Sequence, residues 1–326
     1  TRYWRDWSSD VCSSDLIAST RDAGKSWTVH RIDGLDATEF RSLHAWSTTE
    51  AIVATAGTPC RIYRTEDAGA HWGMVYEHEH PKAFLDGMRF WDDANGFAFG
   101  DPIDGKLMAL VTRDSGRTWR EASTEAFELQ EGEAGFAASN SSLLVFDRSH
   151  VWIGLGGASG ASSVLTSTDA GKTWKRVSIE EIPSGPTSGI FSIARNAEGT
   201  AIAVGGDFKL PERDEGNVAI YDPKTNRWRA PKFSRPRGYR SSVLAIDPPI
   251  DQSKAVSKLG VSEPDDAKWG PTRWIAAGPT GCDWSSDGER WYPLSDTPFH
   301  ALSISKDGIV WASGGQGRVG FHPRRR

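Results

Sequence analysis

The chain reads as a series of short apolar runs broken by turn residues. Phe84 to Phe90 is one run, Trp91-Asp-Asp-Ala-Asn-Gly96 is a turn, Phe97 to Asp101 is a second run, and Leu107 to Thr112 is a third. Runs of this length, bounded by Gly, Asn and Asp, predict β-strands. A fourth strand opens at Trp119, and the set of four, A to D, recurs along the chain. Strands A and B are predicted at Phe40–Trp46 and Ala51–Ala56, at Phe136–Phe146 and Val151–Gly156, and at Ile190–Arg195 and Ala201–Gly206. They continue at Arg240–Ile246 and Arg273–Gly278, then at His300–Ser305 and Ile309–Gly314. The B strands tend to end in Gly or Gly-Gly, as expected where backbones crowd together.

The turn between C and D is nearly the same each time. Ser167-Thr-Asp169-Ala-Gly171-Lys-Thr-Trp174 recurs as Thr20-Arg-Asp22-Ala-Gly24-Lys-Ser-Trp27, as Thr65-Glu-Asp67-Ala-Gly69-Ala-His-Trp72 and as Thr112-Arg-Asp114-Ser-Gly116-Arg-Thr-Trp119. A shortened copy is Ser285-Ser-Asp287-Gly288-Glu-Arg-Trp291. The Asp can accept turn amides, the Gly can take a backbone region closed to other residues, and the Trp supplies a large apolar face. Successive Trp residues lie 45, 47 and 55 positions apart from Trp27 to Trp174, and Trp291 follows 117 later. Tyr221-Asp-Pro-Lys-Thr-Asn-Arg-Trp228 fills the gap as a diverged copy, 54 positions after Trp174. Four-stranded periods of this length predict an all-β fold, a β-propeller. Six blades are countable, because residues 17–32 supply only C and D and residues 299–322 only A, B and C. Seven are expected in the intact protein.

Composition narrows the function classes. The chain has 326 residues, with 34 Gly and 15 Trp, which suits a turn-rich all-β domain spanning 17–322. The net charge of −5 gives no electrostatic footprint for nucleic acid, and Arg324-Arg325-Arg326 reads as a basic tail at 323–326. No apolar run is long enough to span a membrane. Residues 6–16, Asp-Trp-Ser-Ser-Asp-Val-Cys-Ser-Ser-Asp-Leu, match one reading frame of a sequencing adapter, so 1–16 are expected to be non-native. Two insertions interrupt the period: a charged B–C loop from Phe208 to Asn217 and a polar, Pro-rich A–B loop from Asp247 to Thr272.

The repeated turn resembles the Asp-box, or BNR repeat, of sialidases and other propellers. That resemblance implies that Asp22, Asp67, Asp114, Asp169 and Asp287 are structural and peripheral. Further segments are Phe84-Leu-Asp86-Gly-Met-Arg-Phe-Trp-Asp, Gly100-Asp101-Pro102, Gly205-Gly-Asp207, Gly238-Tyr239-Arg240-Ser241 and Phe299-His300-Ala301. These resemble bacterial propellers related to the photosystem II stability/assembly factor. The resemblance implies a non-catalytic binder or assembly factor, periplasmic or secreted, and we expect a monomer. Bacterial relatives often carry an oxidoreductase label, but the chain has neither a Gly-x-Gly-x-x-Gly turn nor a Cys-x-x-Cys pair, and we expect no cofactor.

In a propeller the D–A and B–C connections share one face, opposite the C–D turns. Residues that begin strand A or end strand B should therefore ring the channel mouth. Those positions hold Arg41, Asp86, Asp101, Asp207, Tyr239, Arg240 and His300. Charges at inner strands are costly unless paired, so these residues either pair with one another or meet a ligand. The expected ligand is a protein segment or a small polar or carbohydrate molecule. The alternative is a glycoside hydrolase or lyase working through carboxylates such as Asp86 and Asp101. Sialidase action is disfavoured, because the Arg-Ile-Pro segment is absent and the side chains of neighbouring Tyr239 and Arg240 should diverge. His78-Glu79-His80 with Asp86 could hold a divalent ion, but His-x-His in a loop reads more readily as surface, and no metal is expected. Cys60 and Cys282 belong to blades far apart in sequence and are expected to stay unpaired.

Overall fold

The computed structural model describes residues 16–22, 24–35, 38–122, 127–247, 273–305 and 308–322. The expectations for 1–15, for most of the Asp247–Thr272 insertion and for the 323–326 tail lie outside the described residues. The described residues form strands and turns without helix.

Blade one is β3 to β6 (Phe40–Ala45, Ala51–Thr55, Cys60–Thr65, Gly73–His78), and blade two is β7 to β10 (Leu85–Phe90, Gly96–Ile103, Lys106–Thr112, Arg120–Glu121). Blade three is β11 to β14 (Leu143–Phe146, His150–Leu155, Gly160–Ser167, Lys175–Ser184), and blade four is β15 to β18 (Ser188–Arg195, Ala201–Asp207, Val218–Asp222, Arg227–Arg229). Blade five is β19 to β22 (Ser242–Ile246, Arg273–Gly278, Gly281–Ser285, Tyr292–Ser295). Blade six holds three strands, β23 to β25 (Ala301–Ile304, Val310–Gly314, Arg318–His322), and β1 with β2 (Ile17–Ser19, Thr28–His30) form a separate ribbon. All pairings are antiparallel and sequential, and the A strands β3, β7, β11, β15, β19 and β23 abut in that order. This is the β-propeller the repeats predict.

Apolar layers fill the spaces between consecutive blades. Ile52, Ile62, Met88 and Leu110 join blades one and two; Phe97, Phe99, Leu143 and Ile153 join two and three. Ile190 and Trp152, then Trp274 and Ile202, then Ile275 and Leu302 continue the sequence to blade six. Burial of these rings and branched chains is the main force holding blades together. Polar side chains add cross-links near the axis. Ser192 Oγ accepts Val243 N–H at 2.9 Å, Ser242 Oγ accepts Leu302 N–H at 3.1 Å, and Asn140 Oδ1 accepts Met88 N–H at 2.8 Å.

The repeated turn has one geometry. In blade three, Asp169 Oδ1 accepts the N–H groups of Lys172 and Thr173 at 3.0 and 2.9 Å, its Oδ2 accepts Thr173 Oγ1–H at 2.7 Å, and Ser167 Oγ accepts Gly171 N–H at 2.9 Å. Asp22, Asp67 and Asp114 repeat the set, and Asp287 accepts Glu289 and Arg290 N–H in the shortened copy. The glycine matters for space as well as for its positive φ. A Cβ on Gly116 would lie 2.6 Å from Ile52 on β4, one on Gly171 2.5 Å from Phe97 on β8, and one on Gly288 2.8 Å from Ile202 on β16. In blades two, three and five the turn thus presses its glycine onto a B-strand side chain of the preceding blade, whereas in blade one a Cβ on Gly69 would lie 2.7 Å from His30 Nδ1 on β2 of the ribbon. Gly24 of the ribbon follows the rule, with a Cβ position 3.3 Å from Trp311 on β24. The ribbon therefore stands between blades six and one, packing Ile17, Ile32 and Leu35 against Val53 and Tyr63. It occupies the outer half of a further blade and does not pair with β25.

Two details of the expected strands change. The stretch 136–142 is irregular and blade three begins its A strand only at Leu143, because Asn140 takes φ +57° and interrupts extension. Blade five begins at Ser242, two residues later than Arg240. The diverged copy at Tyr221–Trp228 is a hairpin turn as expected, with Asn226 at φ +56° and its Oδ1 accepting the Tyr221 hydroxyl at 2.6 Å. Cys60 and Cys282 are both buried free thiols.

Candidate functional site

Three A strands carry a bulge at the same place. In blade one Phe40 faces Thr55 and Ser42 faces Ala54, which leaves Arg41 as the extra residue. In blade two Leu85 faces Gly100 and Gly87 faces Phe99, leaving Asp86; in blade four Ile190 faces Gly205 and Ser192 faces Val204, leaving Phe191. A bulge re-aims the side chain it sets free. Opposite the bulge in blades two and four the B strand needs glycine: a Cβ on Gly100 would lie 1.8 Å from the Phe84 carbonyl oxygen, and one on Gly205 1.9 Å from that of Gly189, whereas blade one has Thr55 at this place. Crowding by backbone is thus the reason for the glycines at the B-strand ends.

The three bulge residues meet in one cavity of about 660 Å³. Its walls come from D–A connections (Leu35, Glu39, Phe84, Phe136), from B–C connections (Thr58, Phe208) and from the end of β8 (Asp101), with Arg61 of β5 at the side. These connections lie at the opposite strand ends from the C–D turns, so the cavity opens on the face away from the repeated Asp residues. One wall is aromatic. Phe136 stacks on Phe191 with centroids 4.0 Å apart, Phe208 meets Phe191 edge-on at 6.3 Å, and Tyr239 supports Phe191 from behind at 4.7 Å.

The lining also holds two carboxyl groups. Asp86 is 2% exposed, and its Oδ2 has no hydrogen-bond partner. Burial pushes the Asp86 carboxyl well above the usual carboxylate range; the charge of Asp101 raises it further, and Arg41 opposes the shift. Burial likewise pushes Asp101 up to about 6. The nearby cations pair with other carboxylates, although the buried Nε of Arg41 has no hydrogen-bond partner. Arg41 donates to Glu39 at 2.7 Å, and Arg61 donates to Glu77 at 2.8 Å. Among the described residues neither Asp86 nor Asp101 has an ion-pair partner within 4.0 Å.

The other residues expected at the channel mouth go elsewhere. Arg240 is fully buried, donating to the Asp283 carboxylate, to the Tyr239 carbonyl at 3.0 Å and to Thr280 Oγ1 at 2.7 Å. The cause is register. Gly278 faces the Tyr239 carbonyl as Gly100 faces that of Phe84, so Arg240 sits one position before the place that the bulge residue takes in blades one, two and four, and it points inward. Tyr239 is buried behind the aromatic wall. Asp207 caps its own turn, accepting Lys209 N–H at 2.9 Å, and lies outside the cavity lining. His300 also lies outside the lining; burial, followed by the charge of Arg318, lowers its basicity. His78 and His80 line a separate open depression with Glu121, away from Asp86, and among the described residues no three His, Cys, Asp or Glu side chains converge as a metal site. The aromatic wall escaped the sequence reading. Its residues belong to three segments far apart in the chain, and only the bulge alignment of Phe191 with Arg41 and Asp86 could have signalled it.

No protein-family model and no curated protein matches the sequence. Solved structures do match. YCF48 bound to D1 peptide superposes with a TM-score of 0.58 at 14% identity, over 93% of this chain and 85% of that one. The chain has the fold of a YCF48-like β-propeller. A GH74 xyloglucanase from Xanthomonas campestris gives 0.56 at 14% identity over 93% of this chain, and the Niastella koreensis GH74 enzyme 0.52 at 12% over 95%. The chain spans about half the length of these two enzymes, 48% and 51%. At such identities the likeness is one of fold.

Proposed function

We propose that this propeller is a non-catalytic binding protein that receives a peptide segment of a protein partner in the cavity at its channel mouth. The observation that carries this reading is the cavity itself: about 660 Å³, lined by phenylalanines and by a buried Asp86 whose Oδ2 has no hydrogen-bond partner. Binding sites combine an apolar lining with a few convergent polar groups in this way. A YCF48 structure of the same fold carries a bound peptide, which supports the choice of ligand class. Arrays of immobilised random hexapeptides, followed by calorimetric titration of the retained sequences, test it. Peptides displaced equally well from wild type and from a Phe191→Ala variant would overturn it.

A second reading follows from the two carboxyl groups. Asp86 and Asp101 are both raised and electrostatically linked, the pattern of an acid and a base held at different protonation. Under it the protein cleaves or modifies carbohydrate. Release of reducing ends from β-glucans by wild type, absent in Asp86→Asn, would favour this reading over the first.

A further inference from the structure

We infer that the group seated deepest in this cavity is a primary ammonium, presented by the peptide ligand proposed above and held between Asp86, Asp101 and the aromatic wall. The inference rests on that reading and adds the chemistry of recognition.

Charge bookkeeping inside the cavity carries it. Five ionisable side chains line the space: Glu39, Arg41, Arg61, Asp86 and Asp101. Arg41 pairs with Glu39 through one guanidinium nitrogen, keeping its Nε without a partner, and Arg61 pairs with Glu77 on the adjoining strand. Two acidic groups remain, with no cation of their own among the described residues. An isolated buried carboxylate is unstable, and burial raises the Asp86 carboxyl well above the usual carboxylate range, which favours its protonated form. A ligand ammonium removes the reason for protonation. It donates to Asp86 Oδ2, which has no partner now, and meets the charge of Asp101 on the other side. Phe136, Phe191, Phe84 and Phe208 supply the complementary wall, because ring faces attract a cation and pack its methylene stem. An anionic group would meet two acids, and a neutral group would leave Asp101 uncompensated.

The charged and titratable neighbours of Asp86 are few. Arg41 comes from β3, Asp101 from β8 and the Cys60 thiol from β5, which burial first and the Asp86 charge second push up to about 12, so it stays neutral. Entry of the cation therefore displaces a proton from the carboxyl pair to solvent. Affinity should rise with pH through the range near 6 where Asp101 ionises.

Three small probes test this by calorimetry and ligand-observed NMR: N-acetyl-lysine methylamide, leucinamide, and the uncharged N-acetyl-leucinamide. The lysine probe should bind at pH 7.5, lose roughly tenfold in affinity at pH 5.0, and release a proton on binding, seen as a buffer-dependent enthalpy. Asp86→Asn and Asp101→Asn should each cost tenfold or more, while Asp207→Asn, outside the lining, should leave affinity unchanged. Binding of leucinamide alone would assign the ammonium to a peptide amino terminus, and of the lysine probe alone to a side chain; either supports the proposal. If N-acetyl-leucinamide binds as tightly as the charged probes, or affinity grows on acidification, the cation is wrong while peptide binding survives. If none of the three binds and the hexapeptide arrays are also silent, both readings fall.

Discussion

Arg240 and Asp283 form an ion pair enclosed in blade five, with 0% and 1% of their side chains exposed. Arg237 donates to the other oxygen of the same carboxylate at 2.8 Å from the surface side. The arrangement answers both charges with hydrogen bonds, including Thr280 Oγ1 and the Tyr239 carbonyl. It contrasts with Asp86, a carboxyl just as buried with no such partner. One blade therefore uses its buried charge as a structural pin, and another leaves it open toward a cavity.

Breaking the pin should be expensive. Asp283→Ala strands the Arg240 guanidinium and should cost about 3–5 kcal/mol, read as a lower midpoint in urea unfolding. The double change Asp283→Leu with Arg240→Met should recover most of that loss, because it removes both charges together. A double variant as unstable as the sum of the two single ones would mean the residues act independently.

The repeated turns set the response to acid. At Asp169 the raising effect of burial is outweighed by hydrogen bonds from Thr173 N–H and Oγ1–H, Ser167 and Lys172, which hold the carboxyl at about 2. A carboxyl depressed in the folded state contributes stability above its unfolded value, and that contribution is lost as pH falls toward the folded one. Asp169→Ala should therefore cost roughly 1–3 kcal/mol at pH 7 and progressively less between pH 4 and 2. Thermal melts across that range check it, and a pH-independent penalty would contradict the assignment.

The cavity carboxyls respond in the opposite sense. Asp101 is raised to about 6, so the folded chain holds a proton that the unfolded chain has released between about pH 4 and 6. Stability from this site falls as pH rises through that window. Asp101→Asn should stabilise the protein at pH 8 by about 1–3 kcal/mol and have little effect at pH 4. Asp86→Asn should act in the same direction, its raised carboxyl having burial as the first cause and the Asp101 charge as the second. Equal melting temperatures of wild type and Asp101→Asn at pH 8 would remove the basis for calling this pair strained.

The contrast between turn and cavity also explains what could be read in the sequence. The turns are local: Ser167, Asp169, Gly171 and Thr173 bond one another within a few residues, so their spacing carried the fold. Strand order follows from it, because every pairing joins neighbours in the chain. Arg41, Asp86 and Asp101 were legible as strand-A starts and a strand-B end. Arg240 occupies a position that looks the same in the sequence but lies one residue before the bulge position, and a one-residue shift turns a side chain to the other face. Phe136, Phe191 and Phe208 read individually as core residues. Their shared wall exists only after blades three and four are laid side by side.

Gly135 offers the last and most selective test of the cavity. It lies in the connection before blade three, and a Cβ there would stand 2.7 Å from Asp86 Oδ2 and 2.7 Å from a Phe99 ring carbon. Both obstacles are side chains, and Gly135 is not among the residues of positive φ, so the backbone can accept alanine. Gly156 is the useful contrast, since a Cβ there would meet the Gly189 Cα and the Ser188 carbonyl oxygen at 2.6 Å, which are backbone atoms. Gly135→Ala should therefore fold, at a cost of about 1–3 kcal/mol from overpacking. Its added methyl would displace the Asp86 carboxyl, and affinity for the N-acetyl-lysine methylamide probe should fall at least tenfold. Gly156→Ala should disturb folding itself, seen as reduced yield of soluble protein. A Gly135→Ala protein that keeps wild-type affinity would show that Asp86 Oδ2 is not the atom that receives the ligand.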